Sequence, residues 1–468
     1  MFENLIIGYQ RRYLEKYLQK SAACHKMDQE KSLLKVFHRC AASVPAYKKL
    51  LREKGVDPES IQSIDAFKRF VPVIDKYDTF IKYENRISHF CVDGKLEGIV
   101  AILSSSGYSG RFSYGLISKE EDKAGRQMVD FYLDRHFHIE KRRTLLINCL
   151  PMGVKVPSER TVVADVSVRA DTAIALVRGF GEDFDQIILV GENTFMKYLL
   201  ELGQEKGLDW SDYNVRLIVG EECFPEGYRT YMASLLGRDI DQSNEVIIGS
   251  SMGISEIGLS VFQESPGTIG VRRKLDAEPS LRKKYFGDVR FTPMIFNYIP
   301  LVVFVEEEKK EGADHPELVF TPLSQKRKMP LIRYNSHDQG MHFVPGEDLG
   351  RDAGTSNLPM VAIFGRGDHI NVSGNRIYIE ELKADLYRDR SLAARMTGNF
   401  LLPEGTHAQK PVVLRIQMKP GIAVQPELRK KAEELIGESY GDLIRTELVK
   451  FEGMPLDFER KLPYLSKT

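Results

Sequence analysis

The chain is poor in the residues that announce metal, disulfide or membrane chemistry. Its 468 residues include one tryptophan and five cysteines, Cys24, Cys40, Cys91, Cys149 and Cys223. No two of these make a CxxC pair, and no spacing suits a zinc site. An odd, scattered set with no leader segment fits a reducing compartment, and the expected location is the cytoplasm. Charge of one sign is also lacking: 66 Lys+Arg stand against 66 Asp+Glu, a formal net charge of +0. This removes the long-range field expected of a nucleic-acid binder or of a protein that adheres to anionic membranes. No apolar run reaches the length of a membrane-spanning helix. The opening MFENLIIGYQRRYLEKYLQK has too short and too interrupted an apolar stretch for a secretory signal. Phe2, Leu5, Ile6, Tyr9, Tyr13 and Tyr17 recur there at helical spacing, which predicts an amphipathic helix packed on the body. There is no internal repeat, no low-complexity tract, no GxGxxG after a strand and no GK[ST]. The two best-known glycine-rich nucleotide loops are therefore absent.

What is present is an ordinary globular composition, 42% hydrophobic and 28% charged, in a chain too long for one simple core. Residues 1–90 read as mainly helical, with turns at GVDPES and VPVID. From residue 98 the pattern becomes α/β. GIVAIL predicts a buried strand, and RFSYGLIS, with Phe112, Tyr114 and Leu116 alternating, predicts its neighbour. SKEE reads as a capping box, Ser118 at the N-cap and Glu121 three residues on, opening a helix toward Arg135. TLLINCL, QIILV, VRLIVG and EVIIG read as strands, three of them separated by helical stretches after GENT and FPEG. Such alternation predicts a largely parallel sheet flanked by helices. PLVVFVEEEK and PELVFTPL predict paired strands of a β-rich subdomain, with the charged run EEEKKEG at the hairpin tip. Near residue 366 the character changes again. GNRIYIEELKADL reads as strand then helix, PVVLRIQM as a strand and PELRKKAEELIGESYG as an amphipathic helix. The expected fold class is α/β. A large N-terminal domain (1–365, with a helical entry over 1–90) carries mixed and parallel sheets, helices and the β-rich subdomain. A small hinged α+β domain follows over 366–468.

One stretch stands out by composition. SSSGYSGR, starting at residue 104, lies between two predicted strands. Its backbone amides and hydroxyls suit phosphate oxygens, because glycine lets the main chain come close, and Arg111 adds charge. A solvated turn is the plainer reading of these residues taken alone. Four further segments follow in order: GEECFPEG after VRLIV, SSMGISEIG after EVIIG, then PLIRYNSHDQG and FGRGDHINVSGNRI.

With these five segments in this order, the sequence resembles the adenylate-forming superfamily of acyl-CoA synthetases, luciferases and peptide-synthetase adenylation domains. Within it the chain is most similar to the phenylacetate-CoA ligase and capsule-associated branch. The likeness runs from about residue 35 to 468 and includes the helical opening VPAYKKLLREKGVDPESIQSIDAFKRFVPVIDK. It implies ATP-dependent activation of a carboxylic acid, aromatic or medium aliphatic, to acyl-AMP. Acyl transfer would follow, to coenzyme A or else to a carrier-protein phosphopantetheine or an amine. A nucleotide-binding relative with little catalysis is the third reading, and a homodimer is left open.

The resemblance also implies roles. Ser105, Ser106, Gly107, Ser109 and Gly110 would hold the β- and γ-phosphates. Glu256 would bind Mg2+, since a hard cation bridging phosphates needs few protein oxygens, and Ser255 would face the α-phosphate. Met252 stands where the family has an aromatic against the adenine. Gly220, Glu221 and Glu222 would line the base. Asp338 would take both ribose hydroxyls, with His337 where the family has glycine. Arg366 would approach ribose or phosphates, flanked by Gly365 and Gly367, with Asp368 at the hinge. The family's catalytic lysine near the C-terminus falls on Lys467 or on Lys461. The acyl pocket would lie between NCLPMGVKV, the segment after ILVGEN and the GSSMG turn. His136 and His138 lack clustered ligands and read as solvated or core histidines.

Overall fold

The computed structural model describes residues 12–84, 86–105, 112–242, 245–350, 357–407 and 411–466. The described part of the entry is helical, with a helix over 12–18 followed by α1 (Ala22–Ser43) and α2 (Pro45–Glu53). Ser21 caps α1 by accepting from the Cys24 amide, and Pro45 opens α2 where a missing N–H costs nothing. Leu33, Val36, Phe37 and Cys40 form the buried stripe of α1 and pack with Phe67, Phe304 and Ile332. This stripe fastens the entry to the sheet.

Residues Ile99–Ser104 (β1) and Tyr114–Ser118 (β2) pair as a separate antiparallel hairpin. The expected burial of GIVAIL is corrected here: Val100 and Ile102 are 56% and 64% exposed. A two-stranded ribbon lying on the body has only one covered face, so half of an apolar strand faces outward. The capping box is present, Ser118 and Glu121 each accepting from the other's amide, and it opens α3 (Lys119–Phe137).

Eleven strands make one sheet: β3 (Thr144–Asn148), β4 (Val162–Asp165), β5 (Gln186–Glu192), β6 (Val215–Gly220), β7 (Ile248–Ile254), β8 (Gly258–Gln263), β9 (Met294–Asn297), β10 (Val303–Glu308), β11 (Glu317–Pro322), β12 (Tyr334–Phe343) and β13 (Met360–Gly365). Their order is β10-β11-β12-β13-β9-β8-β7-β6-β5-β3-β4. The half from β4 to β7 is parallel, and β3 and β5 are buried at every residue, as strands covered on both faces must be. The β-rich part is continuous with this half, because β7 turns back on β8 as a hairpin. Between the strands run α4 (Ala170–Phe180), α5 (Asn193–Glu205), α6 (Glu226–Leu235) and α7 (Pro266–Ala277).

The strands after Gly365 belong to other sheets: β14 (His369–Val372), β15 (Asn375–Tyr378) and β17 (Thr406–His407) in one, β16 (Met396–Pro403), β18 (Val412–Met418), β19 (Ile444–Val449) and β20 (Leu465–Ser466) in another. They pack with α8 (Ile379–Arg388) and α9 (Pro426–Tyr440). The change of sheet falls between Gly365 and His369. This C-terminal portion is firmly seated. A Cβ on Gly227 of α6 would lie 2.9 Å from the Tyr387 carbonyl carbon, so α6 and α8 touch backbone to backbone. Lys197 of α5, fully buried, donates to Glu201 (2.7 Å) and to the Met396 carbonyl across the junction (2.7 Å). No described helix is long and apolar enough to cross a membrane.

Candidate active site

Three of the segments singled out in the sequence lie along one edge of the sheet. Parallel strands β3, β5 and β6 end at Asn148, Glu192 and Gly220, so NCLPMGVKV, the segment after GEN and GEE lie side by side at their carboxyl ends. A carboxyl edge is where open α/β sheets place ligands. SSMG lies within β7, and Ser255, Glu256 and Ile257 form the turn into β8. A glutamate in a hairpin turn owes nothing to a helix dipole.

Glu256 is buried, with one carboxylate oxygen accepting from the Tyr334 hydroxyl (2.7 Å) and the other from Ser255 (2.8 Å). Arg327 secures the turn from behind, donating to the carbonyls of Glu256 (2.5 Å) and Ile257 (2.6 Å). The β1–β2 hairpin lies directly on this turn. A Cβ on Gly115 would sit 3.0 Å from the Ser255 carbonyl carbon and closer still to its oxygen, so only glycine fits. Ser105 closes the base of the hairpin loop: its amide donates to the Ser113 carbonyl and its Oγ accepts from the Ser113 amide, both at 3.0 Å. Ser106, Gly107, Ser109 and Gly110, with Arg111, lie outside the described residues.

Tyr334 opens β12, the strand that also carries Asp338. One Asp338 oxygen accepts from Ser336 (2.7 Å), and the other lies 3.6 Å from Arg366 Nε. Asp338, then Asp368 and Glu256, raise the Arg366 guanidinium above its ordinary value. Three carboxylates therefore act on one cation, and Asp338 is the one in contact with it. His337 has φ of +63°, the left-handed geometry that favours glycine. Its ring nitrogens sit 3.2 Å from Glu317 and 3.4 Å from Asp75 of the helical entry.

The GEE loop follows β6. Glu221 also has positive φ (+71°), and below the loop the buried Arg272 holds the Phe224 carbonyl at 2.5 Å. Above it sits the C-terminal portion. Lys383 of α8 donates to Glu222 (2.9 Å), Tyr464 donates to the same oxygen (2.8 Å), and Lys461 donates to the Glu221 carbonyl (2.9 Å). Burial opposes ionisation of Glu222, but Lys383 and Lys461 outweigh it and hold the carboxyl below its ordinary value. Burial raises Glu221, with Lys461 opposing. Burial and the neighbouring Glu222 push Glu192 up to about 7. Lys461 thus reaches the candidate site, and Lys467 lies outside the described residues.

Sequence reasoning passed over Tyr334, Arg327, Lys383 and Tyr464. Tyr334 stands inside the RYNSHD motif and was legible there, whereas the other three carry no local signature. Among the described residues no three His, Cys, Asp or Glu side chains gather as a metal cage. A divalent cation here would take Glu256 and complete its shell with phosphate and water oxygens, which suits Mg2+.

No protein-family model and no curated protein sequence matches this chain. Solved structures do. A 2-hydroxyisobutyryl-CoA ligase in the postadenylation state, in complex with R3-HIB-AMP, matches with TM-score 0.71 at 15% identity, over 96% of this chain and 91% of that one. The same ligase in the thioesterification state, with 2-HIB-AMP and CoA, matches with TM-score 0.56 at 15% identity over 96% and 90%. An anthranilate CoA ligase in complex with anthranoyl-AMP matches with TM-score 0.51 at 13% identity over 90% and 79%. The chain therefore has the fold of the adenylate-forming ligases.

Proposed function

We propose that this chain, built on the fold of the adenylate-forming ligases, activates a carboxylic acid with ATP and passes the acyl group to a thiol, coenzyme A being the leading acceptor. In the first step a carboxylate oxygen attacks the α-phosphorus, the bond to the bridging oxygen breaks, and pyrophosphate leaves. In the second, a thiolate attacks the acyl carbon, the bond to the phosphate oxygen breaks, and AMP leaves. Both steps gather negative charge, so positioned cations and N–H donors supply most of the acceleration.

One observation carries the reading: the hairpin rests on the Glu256 turn, Glu256 accepts from Tyr334, and the strand that Tyr334 opens also carries Asp338, which faces Arg366. Asp338 would accept from the ribose hydroxyls, and Arg366 would turn between it and the phosphates. Ser255 would face the α-phosphate. The hairpin loop from Ser105 would wrap the outer phosphates, which Mg2+ on Glu256 would help to neutralise. The loop Gly220–Glu222 would border the base, and Lys461, or Lys467, would meet the reacting carboxylate. A C-terminal domain over 366–468, turning about Asp368, would serve both steps.

ATP–pyrophosphate exchange over a panel of aromatic and aliphatic acids tests the first step. Product analysis with CoA, a holo-carrier protein or an amine then identifies the acceptor. Exchange with none of the acids, by a protein that still binds AMP in calorimetry, would sink the ligase reading and favour a nucleotide-binding relative.

A further inference from the structure

The resemblance makes Glu222 a neighbour of the base, yet its carboxylate is already occupied by residues far away in the chain. Lys383 and Tyr464 both donate to it, and Lys461 holds the adjacent carbonyl. Lys383 and Glu222 are only 7% and 11% exposed, and the Lys383 ammonium also lies 4.2 Å from the Tyr464 ring centroid. Behind Glu222 stands Glu192, whose carboxylate caps α5 by accepting from the amides of Thr194 (2.8 Å) and Phe195 (2.9 Å). Glu221 is its other acidic neighbour. Two ammonium groups from the C-terminal portion thus face three carboxyl groups of the large portion across one buried seam.

We propose that Glu222 is a latch: through it Lys383 and Tyr464 dock the C-terminal portion onto the base-side loop for the adenylation half-reaction, and they act as positioning residues for that step. The argument is electrostatic. If the C-terminal portion swings away, Glu222 loses both ammonium groups and is left beside Glu192 and Glu221. A buried carboxylate stripped of its partner is costly, so the loop keeps its shape only while docked. Docking therefore orders the loop that borders the nucleotide, and the nucleotide in turn favours docking, as reciprocal coupling requires.

The inference rests on the ligase reading, so the test has one arm that does not depend on it. In hydrogen–deuterium exchange on the full chain, Lys383→Met and Tyr464→Phe should each speed exchange in residues 220–226, with β9 unchanged. In the kinetic arm, both variants should lose about tenfold in ATP–pyrophosphate exchange. Thioester formation from supplied acyl-AMP and CoA should stay within about twofold. The double variant Glu222→Gln/Lys383→Met should recover part of the loss, because it leaves no unpaired charge. Unchanged protection of 220–226 in both variants overturns the latch even if the ligase activity is real. Equal loss of both half-reactions in the conservative Tyr464→Phe variant overturns it too. Absence of pyrophosphate exchange in the parent protein overturns the ligase reading alone, and the protection of 220–226 still decides the latch.

Discussion

Gly115→Ala offers the sharpest test of how the site is assembled. Gly115 lies in β2 with its α-carbon pressed against the Ser255–Glu256 backbone. The added methyl carbon would stand 3.0 Å from the Ser255 carbonyl carbon and 3.6 Å from Glu256 Cα, and it would overlap the Ser255 oxygen. The overlap with the oxygen decides the size of the movement: non-bonded atoms rest about 3–4 Å apart, so the hairpin must retreat by roughly 1 Å or more. Its neighbour is main chain, pinned by Arg327 through the carbonyls of Glu256 and Ile257, and has nowhere to go. Overpacking of this kind costs about 1–3 kcal/mol. A shift of this size at reacting groups costs roughly 100-fold in rate. We expect ATP–pyrophosphate exchange to fall by about that factor while the protein remains folded, with melting lowered by a few degrees. Gly125→Ala in α3 is the control. Nothing lies within 4 Å of its added carbon, so it should keep full activity and gain up to about 1 kcal/mol from better helix propensity. Parent-level exchange in Gly115→Ala would refute the claim that the hairpin and the Glu256 turn form one site.

Glu256→Gln removes the charge while keeping a side chain that fits between Tyr334 and Ser255. Exchange should drop about 100- to 1000-fold with little change in melting temperature, and a loss under fivefold would count against Glu256 as the cation ligand. In α8, burial pushes the Glu381 carboxyl up to about 7, with Arg290 opposing. Below the ordinary carboxyl value the proton is bound in both folded and unfolded chains. As pH rises from there to about 7 the unfolded chain loses its proton first, so stability falls, by up to about 3 kcal/mol. Glu381→Gln should therefore match the parent near pH 4 and melt higher at pH 8, and parallel melting curves across that range would refute this. Glu201 accepts from Lys197 and Tyr231 and lies 3.5 Å from Lys419. Glu201→Ala strands a fully buried ammonium and should cost about 3–5 kcal/mol in denaturant unfolding. Lys197→Met leaves Glu201 with two partners and should cost clearly less, and the reverse order would show that the pair is not what holds the junction.

Much of this protein was legible before its fold. Local rules act over a few residues, and they held where they applied. The Ser118–Glu121 capping box and the four apolar runs of the parallel half depend only on neighbours in the chain. The five motif segments were legible for a related reason: the phosphate, ribose and cation binding proposed for them would need particular residue types at short spacings. His337 has a left-handed backbone (φ +63°), the geometry that favours glycine, which the identity of the residue does not announce.

What the sequence left undecided is everything that depends on who meets whom. An apolar strand such as GIVAIL announces burial, but only the placement of its hairpin on the Ser255–Glu256 turn determines that one face stays open. GEE announces a strand end. Only the fold brings Lys383 and Tyr464, more than 150 residues away, onto its Glu222 carboxylate, and Lys461 onto the Glu221 carbonyl. Composition cannot distinguish a solvated lysine from one pressed against a buried glutamate, because both have the same neighbours in the chain. The difference is made by desolvation and by distance, and those exist only once the chain has packed.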